Sequence, residues 1–461
     1  MQNMPKGNDS RESGADGAEH GVAWLLAERA IGLSFNDIDA TTRESVWRCV
    51  LDVLTSAAAA QGLPGLRAAQ HAAGVLYGTG HSPIWFTGHS GSTGGAMFAN
   101  SAAAAALDLD DGYRMARGHP GAAIIPAALA IAGERRQVDV HEFVCAVVAG
   151  YEVALRLAMA RPAYAPSGAW SGYGVVVAAG RLLGASARTV AQALGIVAQT
   201  APGLPALAGI AGSDVKEGIP AGVAAGWAAL QLAMAGFSGP VSVLDDPALF
   251  DRSVALGGLA GSALITGTYF KPFGCCRHIH APVEALLHLK AVHGFAASEI
   301  AAVRVHTYWA TFNLSNLPRP RTLVQAQYST PYCVALSAVH GHDALVPLRA
   351  GYIDDAKVAA LAERVRVLHE PDIEPLFPER SPARVTVILN DGRTLDSGVM
   401  DARGDPDMPL TWEDLERKLR VATRGILAID QQQALLDGMT ALRKGVWGPL
   451  LHVLHGAGGA P

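Results

Sequence analysis

The strongest constraint on the fold is a series of alanine-rich segments whose apolar residues recur at the spacing of an α-helix. Residues 41–60 form the clearest segment, because Thr41 and Glu44 match a capping signal ahead of apolar residues that repeat every three or four positions. Gly or Pro stands at most joints between the later segments of this kind, at residues 122–133, 140–157, 174–183, 189–198 and 222–234. Because short alanine side chains let helices approach closely, these segments predict a compact helical bundle.

The pattern changes after about residue 269. Short segments then carry apolar residues two positions apart, the spacing of a half-buried strand, at Val303 and Val305, Val365 and Val367, and Val385, Val387 and Leu389. Asp391 and Gly392 follow the last segment and favour a tight hairpin turn, so we expect a small antiparallel sheet. The helical pattern returns at residues 412–421 and 429–442.

This order of segments predicts a mainly α protein, with a large all-helical domain and an inserted smaller α+β lid domain. The first twenty residues are polar and glycine-rich without an apolar core, which indicates a flexible tail rather than a signal peptide. We therefore expect the tail at residues 1–20, the helical domain at 21–268 and the lid at 269–407. Helices at residues 408–461 would rejoin the first domain.

Charge and cysteine content limit the partners and the compartment. The net charge of -5, with no run of five Lys or Arg, argues against nucleic acid as a partner. The five cysteines are odd in number and lack zinc-type spacing, so we expect no metal site, no disulfide framework and a reducing cytoplasm. The apolar stretch at residues 219–244 is mostly Ala and Gly with internal Pro and Gln, which favours a buried helix over a membrane span.

Polar segments between the apolar elements are candidates for a functional site. Residues 107–120 hold three carboxylates, two arginines and a histidine, among them Asp108 and His119. Such a loop could bring an acid or base to a pocket, or its carboxylates could only cap amides and pair with the arginines. The turn at residues 212–218 holds Lys216, although most isolated lysines are simply solvated.

Two further polar segments each precede an apolar helix. Residues 271–282 are dense in polar groups, including Lys271, Arg277, His278 and His280. Adjacent Cys275 and Cys276 cannot easily face one tetrahedral ion, so the pattern favours anion binding at a helix start over metal binding. In residues 327–332, the tyrosines, Tyr332 included, could be core residues or hydroxyl donors.

Several familiar catalytic motifs are missing from the sequence. It contains no GxGxxG after a strand, no P-loop, no HExxH and no GxSxG in a strand-turn-helix setting. We therefore expect no cofactor and no metal.

The order of the polar segments resembles the MmgE/PrpD family. The matching stretches are LDLDD at 107–111, GHPGAAIIPAALA at 118–130, GSDVK at 212–216, KPFGCCRHIHAP at 271–282 and QYSTPY at 327–332. The resemblance implies a large helical domain with a smaller α+β lid, usually as a homodimer. It also implies chemistry on a small carboxylic acid, at the carbon next to a carboxylate.

Matched by position, the site residues of the family fall on Asp108, His119, Lys216, Lys271 and Tyr332. Proton transfer beside a carboxylate needs an acid or base, and cations or hydroxyls to hold the developing charge. The resemblance thus implies that His119 transfers the proton and that Lys216 and Lys271 clamp carboxylates. Tyr332 would donate its hydroxyl, and Asp108 would orient a neighbour. Further candidates for substrate binding on the lid side are Arg277, His278 and His280.

Three positions depart from the family pattern. Gly112 stands where many members have threonine, Ala105 where they have histidine, and Ser171 replaces the histidine of a WHxTG signature. We expect a dehydratase-type lyase for a small di- or tricarboxylic acid, similar to 2-methylcitrate dehydratase. The alternatives are an isomerase similar to iminodisuccinate epimerase, a decarboxylase, and a paralogue without catalytic activity.

Overall fold

The computed structural model describes residues 21–135, 138–204, 213–258 and 261–456, so the tail predicted for residues 1–20 lies outside the described residues. Seventeen α-helices and only small sheets occur in the described residues, which confirms a mainly α protein. The helices are α1 Val22–Gly32, α2 Ala40–Ala59, α3 Pro64–Tyr77, α4 Thr93–Ala105, α5 Gly121–Arg135, α6 Val140–Met159, α7 Ser171–Leu183, α8 Ala187–Thr200, α9 Ile219–Met234, α10 Arg252–Leu256, α11 His280–His293, α12 Leu323–Gln327, α13 Thr330–His340, α14 Ala356–Ala362, α15 Trp412–Ala422, α16 Ile429–Arg443 and α17 Gly448–His455.

The strands form one four-stranded sheet and two short ribbons. Their bounds are β1 Ser82–Ile84, β2 His89–Gly91, β3 Gly112–Tyr113, β4 Thr268–Tyr269, β5 Ile300–Thr307, β6 Val365–His369, β7 Ala383–Leu389 and β8 Thr394–Met400. In the larger sheet the order is β6-β5-β7-β8, and the hairpin between β7 and β8 turns at Gly392 with a φ of 87°. The sheet is mixed rather than purely antiparallel, because β5 pairs with β6 in parallel. Two-residue periodicity identifies strands but not their direction.

The helical bundle is held together by close backbone contact between α7 and α9. A Cβ built at Gly172 would lie 2.7 Å from the carbonyl oxygen of Gly222, and one at Gly226 would lie 2.5 Å from that of Gly172. No side chain fits at those distances, so glycine at these positions lets the two helices touch. The packing agrees with the prediction of closely approaching helices.

Helix α9 covers much of the stretch that the sequence analysis assigned to a buried helix. It buries one face, including Val223 and Leu230, whereas Leu232 and Met234 are 41% and 45% exposed. The stretch is therefore a helix, but a half-buried one. No single helix in the described ranges is long and apolar enough to cross a membrane, and α2 and α3 meet that test only as a pair bent by 104°.

Contacts distant in sequence bring the polar segments together. Strand β3 lies within the loop of residues 107–120 and pairs with β4, which ends two residues before Lys271. Helix α15 packs against α2, where Lys418 donates to Asp52 at 2.5 Å and to the carbonyl of Leu109 at 2.7 Å. The C-terminal helices thus contact the first part of the chain, while the domain boundaries given above remain predictions.

Candidate active site

The predicted polar segments meet around a cavity of about 140 Å³. That volume is below the range of about 300–1,000 Å³ that is typical for larger ligands, so it suits a small molecule. Its charged and titratable lining residues include Asp108, Arg114, Arg117, His119, Glu217, Lys271, Arg277, His278 and Tyr328. Four permanently cationic side chains and His119 face only two carboxylates among these described residues, which favours an anionic ligand.

Asp108 and two lysines form a buried ionic cluster beside the cavity. The Lys271 ammonium donates to the Asp108 carboxylate and, at 2.9 Å, to its main-chain oxygen. Lys216 Nζ lies 3.3 Å from Asp108 Oδ1. Burial by itself raises the pKa of Asp108, but Lys216, Lys271 and His119 outweigh it and hold that pKa well below its ordinary value. Asp108 is therefore an anion that fixes both ammonium groups.

His119 follows this cluster in the same loop and is almost fully buried. Its Nδ1 lies 2.8 Å from the carbonyl oxygen of Asp111, which can only accept a hydrogen bond, so Nδ1 carries a proton. Asp108 Oδ1 lies 3.4 Å from Nε2, and Asp110 Oδ2 lies 3.3 Å from Nδ1. Burial lowers the pKa of His119, but Asp110 and Glu217 outweigh that effect and raise it to about 9. His119 is thus a proton donor near neutral pH.

His278 has the opposite character, although it lines the same cavity. Burial, followed by the positive charges of Arg114 and Arg117, lowers the pKa of His278 to about 4. Its Nδ1 lies 2.6 Å from the Tyr308 hydroxyl, which fixes the ring. The cavity therefore combines a histidinium with a neutral imidazole that can accept a proton.

Glu217 was not among the candidates from the sequence. Its carboxylate accepts a hydrogen bond from the Ser167 hydroxyl at 2.5 Å and lies 3.9 Å from His119 Nε2. The same hydroxyl accepts from the His119 amide at 3.0 Å, so Ser167 ties the two residues together. A glutamate directly after Lys216 carries no recognisable signal, because its function depends on a residue about fifty positions earlier.

Tyr328, not Tyr332, is the tyrosine of QYSTPY that reaches the cavity. The Lys216 ammonium donates to the Tyr328 hydroxyl. Tyr332 lies in the first turn of α13, is absent from the cavity lining, and its buried hydroxyl has no hydrogen-bond partner among the described residues. Our prediction that Tyr332 supplies the hydroxyl is therefore not supported by its position. The helix starts after Ser329 and turns the later side chain into the interior.

The other lid-side candidates divide in the same way. Arg277 lines the cavity, lies 3.0 Å from Asp405 and donates to the carbonyls of Ala402 and Arg403. His280 does not line the cavity. Its Nε2 lies 3.0 Å from the carbonyl oxygen of Cys275, so it holds the preceding loop rather than facing a ligand.

The departures from the family pattern have visible consequences. A Cβ at Gly112 would collide with the Tyr269 ring, which lines the cavity, so this position cannot accept threonine unless Tyr269 moves. Ala105 and Ser171 are buried and do not line the cavity. None of these three positions contributes a side chain to the cavity lining.

Asp108, Asp110 and His119 place possible metal-ligand atoms within 4.8 Å of one another. However, the ammonium groups of Lys216 and Lys271 already lie against the Asp108 carboxylate. A divalent cation there would be repelled by both lysines and would have to displace them. The charges of this cluster therefore fit an organic anion better than a metal ion.

The fold and the site define a mainly α protein with a small, buried, cationic cavity for acid–base chemistry. Residues 25–259 match the MmgE/PrpD N-terminal domain and residues 273–444 match the MmgE/PrpD C-terminal domain. This protein belongs to the MmgE/PrpD family.

Two cis-aconitate decarboxylases illustrate the relationship. One, from Aspergillus terreus strain NIH 2624, is 24% identical over 500 residues, covering 97% of this chain and 98% of the relative. The other, from Homo sapiens, is 26% identical over 370 residues, covering 74% and 75%. Family and relatives together support a lyase-type role on a small carboxylic acid.

Proposed function

We propose that this protein is a dehydratase-type lyase that acts at the carbon next to a carboxylate of a small di- or tricarboxylic acid. The observation that carries the proposal is that two histidines line one cationic cavity, in surroundings that shift their pKa values in opposite directions. The pKa of His119 is about 9 and that of His278 is about 4. Environments that push two pKa values apart are a common feature of sites with one acid and one base.

The two histidines can carry out both proton transfers that dehydration requires, the removal of one proton and the delivery of another. The neutral His278 imidazole takes the proton from the carbon next to the carboxylate, and the C–H electron pair becomes the second bond of a C=C. The protonated His119 gives its proton to the hydroxyl on the neighbouring carbon, which leaves with the C–O electron pair as water. Exchange with solvent afterwards returns both rings to their starting states.

The surrounding charges support the build-up of negative charge on the carboxylate. Lys271 lies at the cavity wall, and Lys216 lies behind it against the same Asp108 oxygen. These fixed cations can stabilise a carboxylate that becomes dianionic as the proton leaves, without having to reorganise. We propose that Tyr328, held by Lys216, is the hydroxyl donor that we had assigned to Tyr332.

Decarboxylation is the second candidate, because the relatives described above carry that activity in their names. In that reaction the C–C bond breaks, carbon dioxide leaves, and the resulting carbanion takes a proton from His119. No proton is abstracted from carbon, so the reaction needs the acid but not the base. The requirement for His278 therefore separates the two candidates.

The test is proton NMR of the purified protein in deuterated water with methylcitrate, citrate, cis-aconitate and iminodisuccinate. We expect an olefinic product from a hydroxy acid, and loss of about a hundredfold or more in rate for His119→Gln and for His278→Gln. His293→Gln alters an exposed histidine of α11 and serves as the matched control.

Each other result identifies a different reaction. A decarboxylated product that still forms from cis-aconitate in the His278→Gln variant would establish decarboxylation. Deuterium entering unchanged substrate would establish an epimerase. Normal turnover by His119→Gln would refute the proposed site, and loss of the folded state in both variants would mean that the histidines are structural.

A further inference from the structure

The cavity contains one cation whose partners differ from those of all the others. Arg114 donates to Ser381 and Asp405, Arg277 is paired with Asp405, and Lys271 is paired with Asp108. The Arg117 guanidinium has no ion pair among the described residues. It lies over two aromatic rings instead, with centroids 5.6 Å away in Tyr164 and 5.9 Å away in Phe377.

The position of Arg117 also distinguishes it from the buried lysines. The residue is exposed, yet it lines the cavity, and neighbouring Tyr164 is 41% exposed. Arg117 therefore stands where the cavity opens to solvent. The aromatic faces restrict the guanidinium plane, and no acceptor from the described part of the chain occupies its N–H groups, which suits two parallel hydrogen bonds to a carboxylate.

The backbone at Arg117 has a conformation that is unfavourable for a residue with a side chain. Its φ is 53°, in the left-handed region that glycine occupies without cost. A turn fixes it there, because its amide donates to the Arg114 carbonyl at 3.0 Å and Gly118 bridges to Tyr113. Asp108 and Glu217, which also line the cavity, share this backbone region, with φ of 50° and 49°. Strain of this kind is typical of functional sites.

We propose that Arg117 is the residue that selects for a second carboxylate on the ligand, remote from the reacting carbon. This inference rests on the proposed function for the identity of the reacting end, which the lysines and histidines hold. A carboxylate at the cavity mouth would pair with Arg117, whereas a monocarboxylate would leave it unpaired. Di- and tricarboxylates are therefore the substrate class, and Arg117 determines the preference.

The test measures binding rather than turnover, so that it does not depend on which reaction is catalysed. Titration calorimetry would compare three unreactive ligands, namely butyrate, succinate and propane-1,2,3-tricarboxylate. We expect wild-type protein to bind the two polycarboxylates about tenfold or more tightly than butyrate. Arg117→Ala should lose most of that preference while binding butyrate as before, and Arg117→Lys should restore part of it.

Two further variants make the result independent of folding. Arg117→Gly removes the guanidinium and relieves the strained φ, so it should be at least as stable as wild type and still lose the preference. Arg161→Ala removes an arginine that likewise stacks on a ring, that of Phe250, but does not line the cavity. It should bind all three ligands like wild type.

The outcomes separate this inference from the proposed function. Retained preference in Arg117→Gly, or equal weakening of butyrate and succinate in Arg117→Ala, would overturn the assignment. A wild-type protein that binds none of the three ligands would overturn it as well. If the protein dehydrates none of the substrates but still prefers polycarboxylates through Arg117, the role of Arg117 would be supported and the dehydratase proposal would be rejected.

Discussion

Asp110→Asn should remove the proton that His119 holds at neutral pH. Asp110 Oδ2 lies 3.3 Å from His119 Nδ1, and this carboxylate is the largest influence that raises the His119 pKa to about 9. The rise from the ordinary value of about 6.5 corresponds to about 3 kcal/mol. A charge pair about 4 Å apart is worth about 4 kcal/mol at an effective dielectric constant of ~20, so Asp110 is strong enough to supply most of the rise.

The pH dependence of kcat/KM on the proposed substrate measures the consequence. With a pKa of about 9, roughly nine-tenths of His119 is protonated at pH 8, against about one in thirty at its ordinary value. Because burial still lowers the His119 pKa in the variant, we expect Asp110→Asn to lower the rate at pH 8 by about thirtyfold or more, and by much less at pH 5.5. Asp355→Asn, which removes the partner of His340 outside the cavity, is the control. If kcat/KM of Asp110→Asn falls at the same alkaline pH as that of the wild type, the reasoning would be refuted.

Three other perturbations follow from the same geometry. Tyr328→Phe should reduce turnover, whereas Tyr332→Phe should leave kcat unchanged, and equal activities of the two variants would contradict our choice of tyrosine. Burial raises the pKa of Asp111 from its ordinary value of 3.8 to about 7. Between these two pH values the carboxyl group is ionised in the unfolded chain but protonated in the folded one, so the stability of the wild type falls as the pH rises from 3.8 to 7. Asp111→Asn should therefore gain thermal stability relative to wild type between pH 5 and pH 8, and a constant difference in Tm would argue against a buried charge there. Gly226→Ala should lower the free energy of unfolding by about 1–3 kcal/mol in a denaturant titration, because its Cβ would lie 2.5 Å from the Gly172 carbonyl oxygen.

Helices and strands could be predicted from the sequence because each depends on local periodicity. The segment at residues 140–157 lies within α6, and the two-residue alternation around Val385 lies within β7. The parallel pairing of β5 with β6 could not be predicted, since it depends on a crossover of about sixty residues. The exposure of one face of α9 could not be predicted either, because apolar composition does not show which face of a helix is covered.

The candidate site was only partly predictable for a similar reason. Asp108, His119 and Lys271 were recognisable because dense polar segments and a family resemblance both indicated them. Glu217 was missed because its contact with His119 is made only after folding. The QYSTPY motif contains both Tyr328 and Tyr332, but it does not show which of the two faces the cavity. A homodimer, a cytoplasmic location and independence from cofactors remain predictions.

The central claim is that one cavity holds a histidinium acid beside a neutral imidazole base. The most direct measurement is an NMR titration of the histidine ring resonances between pH 4 and pH 10, with His119 and His278 assigned from the His119→Gln and His278→Gln variants. We predict that the ring of His119 stays protonated beyond pH 8 and that the ring of His278 is already neutral at pH 6. Two rings that titrate together near their ordinary pKa of about 6.5 would contradict the account.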